Sequence, residues 1–126
     1  MLNGGKLIAF VGSTNFGRAI SFYRGLLGLR LVSEEATALL FDAHGTSLRV
    51  ALVPEIKPAN YTVLGWEVRD IAETVQKLSD EGVIFERFTF LDQDEFGIWL
   101  APGGAQVAWF KDPDGNLLSL TECIVS

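Results

Sequence analysis

The feature that most constrains this chain is an apolar pattern that runs through the same order of elements twice. In the first pass, residues 7–11 (Leu-Ile-Ala-Phe-Val) read as a buried strand, and Gly12-Ser13-Thr14-Asn15 as a turn entering a helix. From Phe16 the apolar residues Ala19, Ile20, Tyr23, Leu26 and Leu27 recur at helical spacing, and Gly28 stands where that helix should stop. Strand-like runs follow at 29–33, 37–41 and 47–53, with the turn Asp42-Ala43-His44-Gly45 making a hairpin of the last two. Residues 54–60 have linker composition.

The order then restarts. Residues 61–68 read as a strand. Asp70 with Glu73 three residues on is a capping-box-like signal, and Ile71, Val75 and Leu78 form a helical stripe that Gly82 ends. Strands are expected at 83–88, 107–110 and 117–122. The halves also agree in detail: Phe41, His44-Gly45 and Leu48 parallel Phe110, Asp114-Gly115 and Leu118. A duplicated β-α-β-β-β module explains both the order and these matches. The expectation is an α+β protein, one domain over residues 1–126, with modules at 5–53 and 61–123. Residues 89–105 are extra in the second half; they carry Asp92, Asp94 and Glu95, then Phe96-Gly97-Ile98-Trp99 and Pro102-Gly103-Gly104.

Composition removes several functional classes. Ten Lys and Arg against sixteen Asp and Glu give a formal net charge of -6, which argues against nucleic acid as a partner. The single cysteine, Cys123, cannot form an intrachain disulfide, and the single histidine, His44, excludes a site built on several histidines of one chain. The apolar run at 7–11 is too short for a membrane span, so no membrane partner is expected and the expected location is the cytoplasm. No Walker A loop, dinucleotide glycine fingerprint or Gly-x-Ser-x-Gly elbow occurs.

Two segments carry a resemblance: Ile20-Ser21-Phe22-Tyr23-Arg24-Gly25-Leu26-Leu27-Gly28, and Phe110-Lys111-Asp112-Pro113-Asp114-Gly115-Asn116. A helix bearing Phe-Tyr and ending Leu-Gly, with a late Asp-Pro-Asp-Gly-Asn turn before the final strand, resembles the vicinal oxygen chelate superfamily. That group includes glyoxalase I, extradiol dioxygenases, and fosfomycin- and bleomycin-resistance proteins. The resemblance spans residues 7–122 and implies paired modules forming a curved mixed sheet, an open barrel, with helices on the convex face and a cleft on the other. It also implies a homodimer, which the mean hydropathy of +0.27 over 126 residues suits. In metal-dependent members four strands each offer a His, Gln or Glu. Those positions fall here on Ile8, Arg49, Val63 and Ser119, so neither a metal nor another cofactor is expected.

The cleft is then expected to be a binding surface, with Ile8, Phe10, Arg49, Val63, Glu67, Trp99, Val107, Trp109, Ser119 and Thr121 as its candidate residues. Each has a plainer reading beside it. Trp99 and Trp109 serve a pocket or a dimer contact equally well, Trp66 reads as core, and Glu67 suits a strand end in water or a surface ion pair. Arg49, flanked by Leu48 and Val50, needs a ligand, a wet cavity or an internal partner such as Glu67. His44 reads as a turn residue, and Asp92, Asp94 and Glu95 as a solvated loop or part of a pocket lid or metal loop. The functional expectation is a metal-independent small-molecule-binding protein that sequesters a drug or metabolite, with no catalytic residue assigned. The alternatives are a glyoxalase- or dioxygenase-like lyase or oxidoreductase with atypical metal ligands or general acid-base chemistry at Glu67, and a structural or regulatory dimer with a vestigial cleft.

Overall fold

The computed structural model describes residues 1–124. The chain divides into two compact units, Met1–Pro58 and Ala59 onward. Each unit is an open four-stranded mixed sheet with one helix, the β-α-β-β-β order read from the sequence.

The first unit contains β1 (Ile8–Ser13), α1 (Phe16–Ile20), β2 (Arg30–Glu34), β3 (Ala38–Ala43) and β4 (Thr46–Leu52), with strand order β1-β4-β3-β2. Asn15 caps α1 by accepting from the Arg18 N–H. The helix widens into a π-helical turn over Ser21–Leu26, which the apolar spacing does not reveal. A π turn advances less per residue than an α turn, so two consecutive aromatics share one side. Phe22 and Tyr23 are both buried, edge to face at 5.0 Å, and Tyr23 packs on Phe41 of β3 at 5.9 Å. That contact fixes which sheet face the helix covers. The row Ala9, Leu48, Phe41 and the row Val11, Val50, Leu39 lie beneath it. The β3–β4 hairpin closes on His44 (φ 52°) and Gly45 (φ 93°), two positive φ values in succession, as a type I′ turn requires. His44 is thus the exposed turn residue that the sequence suggests.

The second unit contains β5 (Leu64–Glu67), α2 (Ile71–Asp80), β6 (Trp99–Leu100), β7 (Gln106–Lys111) and β8 (Leu117–Glu122), with strand order β5-β8-β7-β6. Asp70 caps α2 through the Glu73 N–H, and Glu122 accepts from the Ile71 N–H, satisfying a second orphan donor of the first turn. Ile71 and Val75 are buried against a sheet side made by the rows Leu64, Leu118, Phe110 and Trp66, Leu120, Ala108. The predicted equivalence of Phe41–Leu48 and Phe110–Leu118 is therefore literal: each is a cross-strand pair in its own sheet.

One expected strand is absent. Residues 83–88 form no ladder; the strand beside β7 is the two-residue β6 instead. The reason is a competing acceptor and donor set. The Gln93 side chain accepts from the Phe88 N–H (2.8 Å) and donates to the carbonyls of Glu86 (3.0 Å) and Gly97 (2.9 Å). Residues 86–88 keep one backbone bond to β7, from the Glu86 N–H to the Trp109 carbonyl. A side-chain amide has replaced strand pairing.

The Asp112–Asn116 turn that joins β7 to β8 is held by one buried carboxylate. Asp112 accepts from the N–H groups of Asp114 and Asn116 through Oδ1 and from the Asn116 amide through Oδ2, all within 2.9 Å. Gly115, at φ 86°, supplies the left-handed step. Asp112→Ala is expected to destabilise the chain by about 2–3 kcal/mol, because the turn's donors lose a charged acceptor while buried. Chemical denaturation of the variant measures it, and a loss below ~0.5 kcal/mol would contradict this account.

Candidate functional site

The sheet register of the second unit sorts its side chains into two faces. Away from α2, one row crosses the sheet as Gly65, Ser119, Trp109, and the next as Glu67, Thr121, Val107, Trp99. Val63 precedes β5 on the same alternation and is tied in by its N–H to the Leu117 carbonyl. Seven residues assigned to the cleft from sequence thus lie on one face: Val63, Glu67, Trp99, Val107, Trp109, Ser119 and Thr121.

That face is aromatic along its β6–β7 side. Trp109 stacks obliquely with Trp99 (6.0 Å, 35°) and meets Phe88 edge to face (5.4 Å, 89°), and Phe88 in turn touches Phe90 (5.6 Å). The Trp109 indole N–H donates to the Thr62 hydroxyl at 3.0 Å, which fixes the ring's orientation. Phe90 remains 79% exposed, and Trp99 and Trp109 are half-buried. Phe88, Phe90 and Thr62 were not among the sequence candidates. The Phe88-x-Phe90 spacing is the available signal, and it straddles the end of the strand expected at 83–88 and the start of the extra stretch at 89–105.

The loop behind these rings is well tied. Besides the Gln93 clamp, the Arg87 guanidinium donates to the carbonyls of Asp94 (2.6 Å) and Glu95 (2.7 Å), and the Asp94 carboxylate accepts from the Phe96 and Ile98 N–H groups. Asp94 is therefore occupied in loop closure. A cavity of about 220 Å³ adjoins it, lined by Asp92, Gln93, Asp94, Ile98, Leu100 and Gln106.

At the opposite end of the face, the Cys123 thiol donates to the Glu67 carboxylate at 3.4 Å, beside a cavity of about 320 Å³ that Val68, Arg69 and Glu122 complete. This bond to Glu67, then desolvation, then the Glu67 charge, push the Cys123 thiol above its ordinary range. A raised pKa keeps the sulfur protonated and makes it a poor nucleophile at neutral pH.

In the first unit, the face away from the helix carries Ile8 and Phe10, with Phe10, Arg49 and Leu40 in one cross-strand row. Phe10 is 61% exposed. Arg49 is half-buried, and no hydrogen bond or ion pair of its guanidinium occurs among the described residues.

Comparison with known proteins places this architecture. The family model of the glyoxalase/bleomycin resistance protein/dioxygenase superfamily matches residues 9–120. The chain belongs to this superfamily. Solved structures agree on the fold. A superfamily member from Sphaerobacter thermophilus is 25% identical, with TM-score 0.72 and coverage of 98% of this chain and 100% of that one. TnmS3, an antibiotic-binding protein from a Streptomyces species, is 21% identical (TM-score 0.73; 98% and 99% covered). A lactoylglutathione lyase from Agrobacterium tumefaciens is 17% identical (TM-score 0.69; 92% and 91% covered). No curated protein matches.

The four positions that the resemblance assigns to metal ligands carry no such set. Ile8 and Val63 carry no donor atom, Arg49 is a cation, and Ser119 offers a neutral hydroxyl. This set does not fit a divalent ion, which needs several anionic or imidazole donors. Among the described residues no group of three His, Cys, Asp or Glu is arranged to hold one.

Two outcomes follow. Arg49→Met should leave the melting temperature unchanged or slightly raised, because the charge has no internal partner to lose; a loss above ~1 kcal/mol would assign Arg49 to the scaffold. Cys123 should alkylate more slowly at pH 8–9 than an ordinary exposed cysteine, and Glu67→Ala should speed it by returning the thiol towards its usual pKa. A pH–rate profile with iodoacetamide checks this, and identical profiles for parent and variant would remove the Glu67 contact.

Proposed function

We propose that this chain is a metal-independent small-molecule-binding protein that takes its ligand on the aromatic face of the second unit. The observation that carries the reading is the ring series Phe90, Phe88, Trp109 and Trp99, pinned by Thr62 and left open on a sheet face that continues into Ser119, Thr121 and Glu67. Oriented aromatic area beside a few polar groups is the usual character of a ligand site. The missing ligand set at Ile8, Arg49, Val63 and Ser119 favours binding over the metal-dependent lyase and oxygenase chemistries of the superfamily. An aromatic ligand, drug or metabolite, fits this wall, and sequestration requires no reacting group from the protein. Arg49, on the free face of the first unit, is a separate candidate contact for an anionic or carbonyl group.

We also read the chain as a homodimer. Large apolar side chains stand exposed on the edge strands, among them Phe10 on β1, Val32 on β2 and Leu100 on β6. A light-scattering mass of 13.8 kDa at micromolar concentration would contradict this.

A thermal-shift screen of aromatic compounds, followed by tryptophan fluorescence, tests the central reading. Hits should quench Trp109 and Trp99, and Trp109→Ala should weaken binding by about tenfold, near the upper value of an aromatic pair contact. Elemental analysis of protein purified without chelators should give no stoichiometric metal. Hits that bind Trp109→Ala as tightly as the parent would move the site elsewhere, and one equivalent of Fe, Mn, Ni or Zn would overturn the metal-independent assignment.

A further inference from the structure

The two modules treat one equivalent position in opposite ways. In the first sheet Arg49 lies between Phe10 and Leu40; in the second, Ser119 lies between Gly65 and Trp109. Where β1 offers a phenylalanine, β5 offers no side chain at all. A Cβ at Gly65 would stand 2.7 Å from the Ser119 hydroxyl, so the glycine leaves the space beside that oxygen empty. Ser119 is only 7% exposed as a residue, and its hydroxyl forms no hydrogen bond among the described residues; since no fully buried side-chain oxygen there lacks a partner, this hydroxyl reaches the surface through the gap at Gly65. A hydroxyl with no protein partner and a narrow opening beside it can exchange its water for a polar group of whatever enters that opening.

We infer that the Ser119 hydroxyl, uncovered by Gly65, is the hydrogen-bonding anchor for a planar ligand lying on Trp109. The inference rests on the reading of this face as a ligand site and names the ligand class: a flat conjugated ring bearing a hydroxyl or carbonyl at its edge. Thr62 fixes the Trp109 ring, and the cross-strand row places Ser119 beside it, so a stacked ring turns one edge towards the hydroxyl. A serine hydroxyl both donates and accepts, so it serves either edge group. Gly65 and Ser119 then form a specificity pair: the first keeps the space clear, the second reads what enters it.

Two matched probes, 2-naphthol and naphthalene, offer almost equal stacking area and differ by one hydroxyl. Binding is read by residue-resolved NMR titration, with the indole N–H signals of Trp109 and Trp99 reporting the site and the whole spectrum reporting that each variant is folded. The parent should prefer 2-naphthol. Ser119→Ala should lose affinity for it by roughly three- to tenfold, the range of one neutral hydrogen bond, and leave naphthalene unchanged. Gly65→Ala should have the same selective effect, because its methyl forces the hydroxyl to turn away. The double variant should be no weaker than Ser119→Ala alone, since both changes act on one contact. Equal losses for both probes, no loss for either, or additive losses would overturn the anchor while leaving the face as a ligand site. No movement of the indole signals with either probe would remove the ligand-site reading itself.

Discussion

The register of the β7–β8 hairpin is the constraint on which the candidate site depends, and one buried carboxylate sets it. Side chains alternate along a strand, so a slip of one residue would carry Trp109 and Ser119 to the helix side and bring Phe110 and Leu118 out. Asp112 prevents the slip by binding the N–H groups of Asp114 and Asn116 and the Asn116 amide at once. The same register is fixed from the other side by Phe110 and Leu118, both fully buried. Moving either into water would forfeit about 1.5–3 kcal/mol per side chain. Turn chemistry and core packing thus demand the same pairing, which leaves the opposite face free to carry groups that contribute little to the fold.

That division explains what could be read from the residues alone. The helix stripes, the two hairpin turns and the alternation within β4, β5, β7 and β8 are local patterns, and each leads to the right face. Ser119, Glu67, Val107 and Trp109 share the sheet face away from the helix, as their alternation predicts, because their strands are regular and flanked by recognisable turns. The π-helical widening at Ser21–Leu26 was not legible, because it differs from an α-helix in hydrogen-bond partners and not in apolar spacing. Residues 83–88 misled for a different reason. Their composition is that of a strand, but Gln93, several residues on, competes for their backbone groups. Side-chain pairing of this kind leaves no period in the sequence, so neither the run that ends at Phe88 nor the following stretch with Phe90 reads as part of the aromatic wall.

The acidic stretch shows how a chemical motif can be spent on architecture. Asp94 reads from sequence as solvated, or as a candidate for a lid or a metal loop. Its carboxylate instead closes a turn on the Phe96 and Ile98 N–H groups, while Arg87 holds the Asp94 and Glu95 carbonyls. These bonds stiffen the connection that leads into β6 and so hold Trp99 against Trp109. Rigidity there matters for recognition, because an aromatic wall ordered in advance loses less entropy when a ligand arrives. Glu67 is engaged as well, by the Cys123 thiol, though its exposure leaves that contact easily exchanged.

Duplication supplies a control within the molecule. Both units share the element order, the helix-covered face and the cross-strand Phe–Leu pair, so these are what the fold requires. The free faces share almost nothing. One carries Ile8, Phe10 and an unpaired Arg49; the other carries Val63, Gly65 and Ser119 beside tryptophan. A scaffold role would constrain both faces alike, since each module has the same core to close. Divergence on the sides that no helix covers is what selection for different contacts produces, and a glycine beside an open hydroxyl keeps that group within reach of a ligand. Gly65 weakens its strand and contributes no side chain to it. That cost falls on the row that holds the open Ser119 hydroxyl, next to the ring that Thr62 holds in place.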